Sequence, residues 1–282
     1  RVTLGPAFAP RGPMNTHPIL RQLPGLIAAA DDFVVHRVRP GALPGAPADR
    51  VSIIAGYPWF ADWGRDSMIA LPGLLLTCGR LSEAREVLRT FAGACHEGLI
   101  PNVFDDYTGQ AHYNTVDASL WFVHAACQYL IESGDEDAFA ADLLPACTEI
   151  ITRYQKGTRF NIRMDEIDGL IAAGDESTQL TWMDAKRDGV VFTPRHGKAI
   201  EINALWYNAL RSLAVACEHI RPEFASACAK LAPVVGRSIR SRFWNSRRGC
   251  LFDVIAADGS GAEELRPNQL LAVSLPYSAL EV

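Results

Sequence analysis

The chain is poor in the features that mark most ligand and partner classes, and each shortage excludes something. Basic residues are not in excess: 27 Lys and Arg stand against 32 Asp and Glu, a net charge of −5, and they are scattered. No basic stripe is available to neutralise phosphates, which argues against nucleic acid and anionic membrane as partners. No apolar run approaches the roughly 20 residues of a membrane span, and the opening RVTLGPAFAP lacks the charged-then-apolar order of a signal peptide. GxGxxG and GxxxxGKS/T are missing, so no phosphate cradle is present; GxSxG and HExxH are missing too. Seven cysteines (Cys78, Cys95, Cys127, Cys147, Cys217, Cys228, Cys250) are dispersed, mostly in apolar helical runs, with no CxxC and no Cys/His spacing for zinc. They read as reduced core thiols, and a cytoplasmic location is expected. The histidines, His96, His112 and His196 among them, also lack metal-ligand spacing, so no metal is expected.

What is present is a globular composition, 49% hydrophobic and 21% charged, enough for one large domain over 1–282. Apolar residues at i, i+3, i+4, i+7 predict helices near 17–36, 66–78, 82–95, 117–133, 136–156, 199–219 and 222–243, with an eighth starting near Asn268. Ser82 is expected to cap one helix, Gly134 and Gly157 to end two, and Pro222 to open another. Strand signals are brief: VSIIAGY at 51–57, and RFNIRM and LIAAG around Asp168-Gly169, a favoured two-residue hairpin turn. The fold class is therefore all-α with short hairpin decorations. Both chain ends read as cut, so a fragment is expected.

If successive helices run antiparallel, alternate loops open on one face. Those before helices 66, 117, 199 and 268 form such a set, and they hold nearly all the unusual residues. The first reads YPWFADWGRDS, the second IPNVFDDYTGQAHYNTVDAS; the third contains GDESTQLTWMDAKRDG and the fourth LRPNQ. The opposite connections are only a few residues long.

Together these loops pool Trp59, Phe60, Trp63, Phe104 and Trp182 with Asp62, Asp66, Asp105, Asp106, Asp117, Asp184 and Arg65. Rings that stack on C–H faces, surrounded by carboxylates and amides that direct hydrogen bonds, suit a sugar. Sugar hydrolysis takes two carboxyls, one protonated and one ionised, about 6.5–9.5 Å apart where the reaction inverts. Composition alone does not choose the pair.

The segments GYPWFADWGRDSMIALPG, HYNTVDASLWF, GDESTQLTWMDAK, TPRHGKAIEINALWYNAL and LRPNQ, in this order across 56–269, resemble the glucosidase (amylo-α-1,6-glucosidase) domain of bacterial-type glycogen debranching enzymes. The resemblance implies an (α/α)6 barrel of twelve helices, of which about eight would be visible here, and an inverting reaction without a cofactor. The general acid would be the Asp of the WMD motif, Asp184. The general base would be a Glu in later loops, beyond residue 282, and an N-terminal accessory domain would belong to the full-length protein. The implied substrate is a branched α-glucan, from which single α-1,6-linked glucose is released. Trp59, Trp63, Arg65, Asp66, Asn114, Asp117, Trp182, Glu201, Arg266 and Asn268 would position the sugar.

The residues themselves leave alternatives. Trp182 and Met183 give Asp184 a partly apolar setting of the kind that keeps a carboxyl protonated, with Lys186 and Arg187 expected to point outward. Arg65-Asp66 fits a buried salt bridge as well as a glucose clamp, and Asp117 fits a helix cap as well as a hydroxyl contact. Glu201 and Asn203 fit a helix first turn, a supporting role or a substrate contact. Asp175-Glu176 reads as loop chemistry, and Trp121, Trp206 and Trp244 as core. A related toroidal glycosidase of glucoamylase or trehalase type, or a non-catalytic glycan-binding module, would present similar loops.

Overall fold

A computed structural model describes residues 24–37, 50–57, 60–105 and 108–280. Helix α1 (Pro24–Asp32) gives way to a hairpin, β1 (Val34–Arg37) against β2 (Arg50–Ile53). The helix expected over 17–36 thus ends early, because the β-branched pair Val34-Val35 takes the extended state that pairs with Ser52 and Ile53; residues 17–23 lie outside the described part. Next come α2 (Gly64–Leu71), extended by a π turn at Pro72–Leu76, and α3 (Leu81–Gly93). The pair β3 (Val103–Phe104) and β4 (Ala111–His112) leads into α4 (Asp117–Ser133). A continuous helical run then comprises α5 (Glu136–Ala138), a π turn at Phe139–Leu143 and α6 (Leu144–Lys156). Both π turns adjoin a proline, Pro72 or Pro145, whose missing N–H loosens the ladder. Ser82 does not cap α3: it is the helix's second residue, after N-cap Arg80. Gly134 does close α4, in the left-handed conformation, and Gly157 caps α6.

The third hairpin is β5 (Arg163–Met164) with β6 (Ile171–Ala172). Its turn is longer than the two residues expected. Asp165 N donates to Leu170 O and Gly169 N to Asp165 O, so four residues make the bend. A two-residue Asp-Gly turn occurs instead at Asp188 (φ 51°) and Gly189 (φ 80°), between β7 (Lys186–Arg187) and β8 (Val190–Val191). The chain continues through β9 (Lys198–Ala199), α7 (Ile200–Ala216), α8 (Pro222–Arg242), the pair β10 (Trp244–Asn245) and β11 (Cys250–Leu251), and β12 (Val254–Ile255), which pairs back with β9. A 3₁₀ turn at Pro267–Leu270 runs into α9 (Leu271–Ser274).

Packing separates the helices into two sets. Alternate helices α2, α4, α7 and α9 touch in succession, while α3, α6 and α8 lie against their flanks. Burial follows the same division. Every residue from 200 to 210 of α7 is buried, whereas α3 hides only the stripe Ala84, Val87, Leu88 and Phe91. An inner row backed by an outer row is the geometry of a helical toroid. It also puts the N-terminal ends of the inner helices at one mouth.

Candidate active site at the N-terminal ends of the inner helices

Arg65 enters the site from the second position of α2, and a glycine makes that possible. Gly64 N donates to Asn102 O at 2.8 Å, and a Cβ on Gly64 would stand 2.1 Å from Pro101 O. Only glycine allows the two loops to lie this close. Arg65 is buried. Its Nε donates to Asp117 Oδ2 at 2.7 Å and its Nη1 to Asp184 Oδ2 at 3.4 Å. Asp117, first residue of α4 after N-cap Val116, is 2% exposed, and its Oδ2 is held by the guanidinium. Burial pushes the Asp117 carboxyl above its ordinary range while Arg65 pulls it back. Among the described residues, Arg65 Nη2 and Asp117 Oδ1 have no hydrogen-bond partner.

Asp184 is the open member, with 37% of its side chain exposed. Lys186 and Arg187 are exposed, and Arg187 pairs with Asp188 at 3.6 Å, so the cation facing Asp184 is Arg65. The apolar enclosure expected from Trp182 and Met183 is partial, since Trp182 itself is 48% exposed.

A second network braces this loop from behind. Trp182 Nε1 donates to Asn268 Oδ1 at 2.8 Å, and Asn268 Nδ2 donates to Asp253 Oδ1 at 2.7 Å. Asp253 also accepts from Arg195 Nε at 2.8 Å, Arg195 Nη2 at 2.9 Å and Arg266 Nη1 at 2.5 Å. Burial alone would raise the Asp253 carboxyl, but the bonds from Arg195, Asn268 and Arg266 outweigh it and hold it low. Arg195 holds Glu201 through both carboxylate oxygens and donates to Thr181 Oγ1 at 3.2 Å.

All four loops singled out in the sequence therefore meet, but not all their residues do. Glu201, 1% exposed with both oxygens on Arg195, and Asn268, 3% exposed with its amide spent on Asp253 and Trp182, face the interior; neither presents a free polar group to a sugar. Arg266 spends Nη1 on Asp253. Asp66 is exposed on the other side of α2, in a depression formed with Phe33, Ile54, Ile69 and Leu74, because adjacent helical positions point about 100° apart. Trp63 is half-buried as the N-cap of α2, Asn114 is exposed ahead of α4, and Trp59 and Asp106 lie outside the described residues. Asp62 ties its loop to the first hairpin through Ser52 and Arg37. Asp105 folds back on Thr108, and Asp175 on Ser177 and Thr178. Asn203 is wholly buried and bonds the backbone of Ile171 and Ala199, a scaffold role. Trp206 is core, whereas Trp244, expected there, is 50% exposed on β10. Sequence reading missed Arg195 and Asp253. The available signal was Asp253 alone inside the apolar run LFDVIA, a charge that needs buried partners.

Alternating inner and outer helices with polar loops gathered at one end define an α/α-toroid domain of the glycosidase kind. Solved structures agree on the fold: a GH78-family rhamnosidase of Bacillus sp. GL1 superposes with a TM-score of 0.56 at 20% identity, over 74% of this chain and 20% of that one. A rhamnosidase from Klebsiella oxytoca, with rhamnose bound, gives 0.53 at 17% identity, over 71% and 36%. The family model for amylo-alpha-1,6-glucosidase matches residues 28–282, and the chain belongs to that family. The glycogen debranching enzyme of Saccharomyces cerevisiae is 32% identical over 224 aligned positions, covering 58% of this chain and 14% of the yeast protein. The chain thus spans a small part of that relative's length. No helix among the described residues is long and apolar enough to cross a membrane.

Proposed function

We propose that this chain supplies the proton donor and most of the sugar pocket of an inverting glucosidase that removes single α-1,6-linked glucose from a branched α-glucan. The observation that carries the reading is the junction of Arg65, Asp117 and Asp184: one cation between two carboxyls, of which Asp184 alone is open. Asp184 protonates the O6 leaving oxygen as the glycosidic bond breaks. Arg65 Nη2 and Asp117 Oδ1, without partners among the described residues, offer one donor and one acceptor to the hydroxyls of the glucose, and Trp182 offers a ring face. Asp117 is too enclosed to activate a water across the sugar. The resemblance to the debranching-enzyme glucosidase domain implies a general base at a Glu in later loops, beyond residue 282, with an N-terminal accessory domain in the full-length protein and the cytoplasm as the location.

Asp184→Asn in the full-length protein tests the assignment. Glucose release from an α-1,6-branched limit dextrin is expected to fall by about two to four orders of magnitude, with the β-anomer formed first by the parent. Undiminished release removes Asp184 from the role. A parent that yields only maltose-type or trehalose-derived products belongs with the related toroidal glycosidases, and one that binds glucan without turnover is a binding module.

A further inference from the structure

Asp253 lies away from the motifs around the proton donor, yet more bonds converge on it than on any carboxylate of the mouth. Its two oxygens collect four N–H groups from three residues on two separate loops: Arg195 ahead of α7, and Arg266 and Asn268 ahead of α9. Its side chain is 1% exposed, so it meets no substrate itself. The third of those residues passes the constraint on. Asn268 Oδ1 receives the indole N–H of Trp182, two positions before Asp184, and Arg195 reaches the same segment at Thr181. The acid loop 181–184 is thereby pinned at Thr181 and at Trp182, and both pins end on one carboxylate.

We propose that Asp253 is the positioning residue of the acid loop: it fixes Asn268 and Arg195, and through them the ring plane of Trp182 and the placement of Asp184. The proposal rests on Asp184 being the proton donor only for its effect on turnover; the clamp itself is a statement about the loop. A neutral amide at 253 would keep the volume but lose the charge-assisted bonds to two guanidinium groups, and would turn an N–H toward one of them.

Two measurements on the full-length protein, parent against Asp253→Asn, Trp182→Phe and the double variant, decide it. Hydrogen exchange of the backbone over 180–185 is expected to speed up at least about tenfold in Asp253→Asn, while the interior of α4 keeps its protection. With an isomaltose-like substrate, kcat per folded molecule falls about tenfold in each single variant with KM changed less than about threefold, and the double variant is little worse than either, because both break one chain of contacts. Unchanged exchange at 180–185, or losses that multiply in the double variant, overturns the proposal. If Asp253→Asn does not fold, Trp182→Phe carries the test, since it removes one pin and keeps the ring; unaltered exchange there is equally fatal. A parent without glucosidase activity defeats the functional reading alone, and the exchange measurement still judges the clamp.

Discussion

Arg65 joins Asp117 across 52 positions of sequence through a 2.7 Å hydrogen bond, with both groups buried. Removing the cation strands a carboxylate in the interior, and breaking a buried pair from one side costs about 3–5 kcal/mol. Arg65→Met is therefore expected to lower the urea midpoint strongly, and Arg65→Met with Asp117→Leu to recover part of the loss. The sign with pH follows. Burial raises the Asp117 carboxyl in the folded state, so its protonated form favours folding at low pH and the deficit grows as pH rises through the folded value. Equal deficits at acid and neutral pH would contradict an ionised partner for Arg65.

Gly64 predicts a steric effect with a matched control. A methyl group there meets Pro101 O at 2.1 Å, so Gly64→Ala must push α2 and the loop around Asn102 apart. A loss of about 1–3 kcal/mol is expected, with weaker sugar binding because Arg65 is the next residue. Gly73 is exposed, with nothing within 4 Å of a Cβ, so Gly73→Ala should be neutral or slightly stabilising. Thermal melts of the two variants separate crowding from backbone entropy.

The helical rows and the loops that carry the site were legible in the sequence because both depend on local pattern. Apolar periodicity located α4, α7 and α8 within a few residues, and the concentration of Trp, Asp and Arg in alternate loops followed from the way antiparallel helices open on one face. Which way each side chain points was not legible. Arg65 and Asp66 are neighbours in sequence, yet one is buried against Asp117 and the other is exposed across the helix. Glu201 and Asn268 look like sugar ligands by residue type but are consumed by Arg195 and Asp253. Their partners lie outside the loops' own pattern, Asp253 in a stretch whose neighbours are apolar, and long-range pairing of that kind leaves no periodic trace. The same limit explains α1, where pairing of Val34-Val35 with a distant strand overrode a helical pattern.

His124, partly buried on α4, predicts acid sensitivity. Burial holds its imidazole neutral and brings its pKa down to about 4, with Asn208 3.4 Å away and the Trp121 ring edge-on. A base whose folded pKa is depressed stabilises fully above the unfolded value of 6.5, and that stability is lost as pH falls toward 4. At about pH 5 the loss amounts to roughly 2 kcal/mol. His124→Gln, which takes no proton, should flatten the stability curve between those limits; a parent curve already flat there would show that the imidazole is not held neutral.

Lys198 predicts a further loss of stability in acid, in a lower pH range, at the junction between the third hairpin and α8. Its Nζ lies 2.7 Å from Asp165 Oδ2 and 2.6 Å from Asp168 Oδ2, and Asp168 is also held by Arg242 at 3.0 Å. Lys198→Met keeps the aliphatic stem and removes the charge. Asp168 retains Arg242 and a third of the Asp165 side chain is exposed, so the expected loss is about 2 kcal/mol rather than the full cost of stranding a buried charge. The hydrogen bond from Lys198 holds the Asp165 carboxyl below its ordinary value of 3.8. That contribution is present above 3.8 and disappears as pH falls through the lowered folded value, so parent and variant should converge in acid. Urea titrations at neutral pH and near pH 3 read the difference directly. A gap that persists in acid would mean that packing of the lysine stem, and not its charge, ties the hairpin to β9.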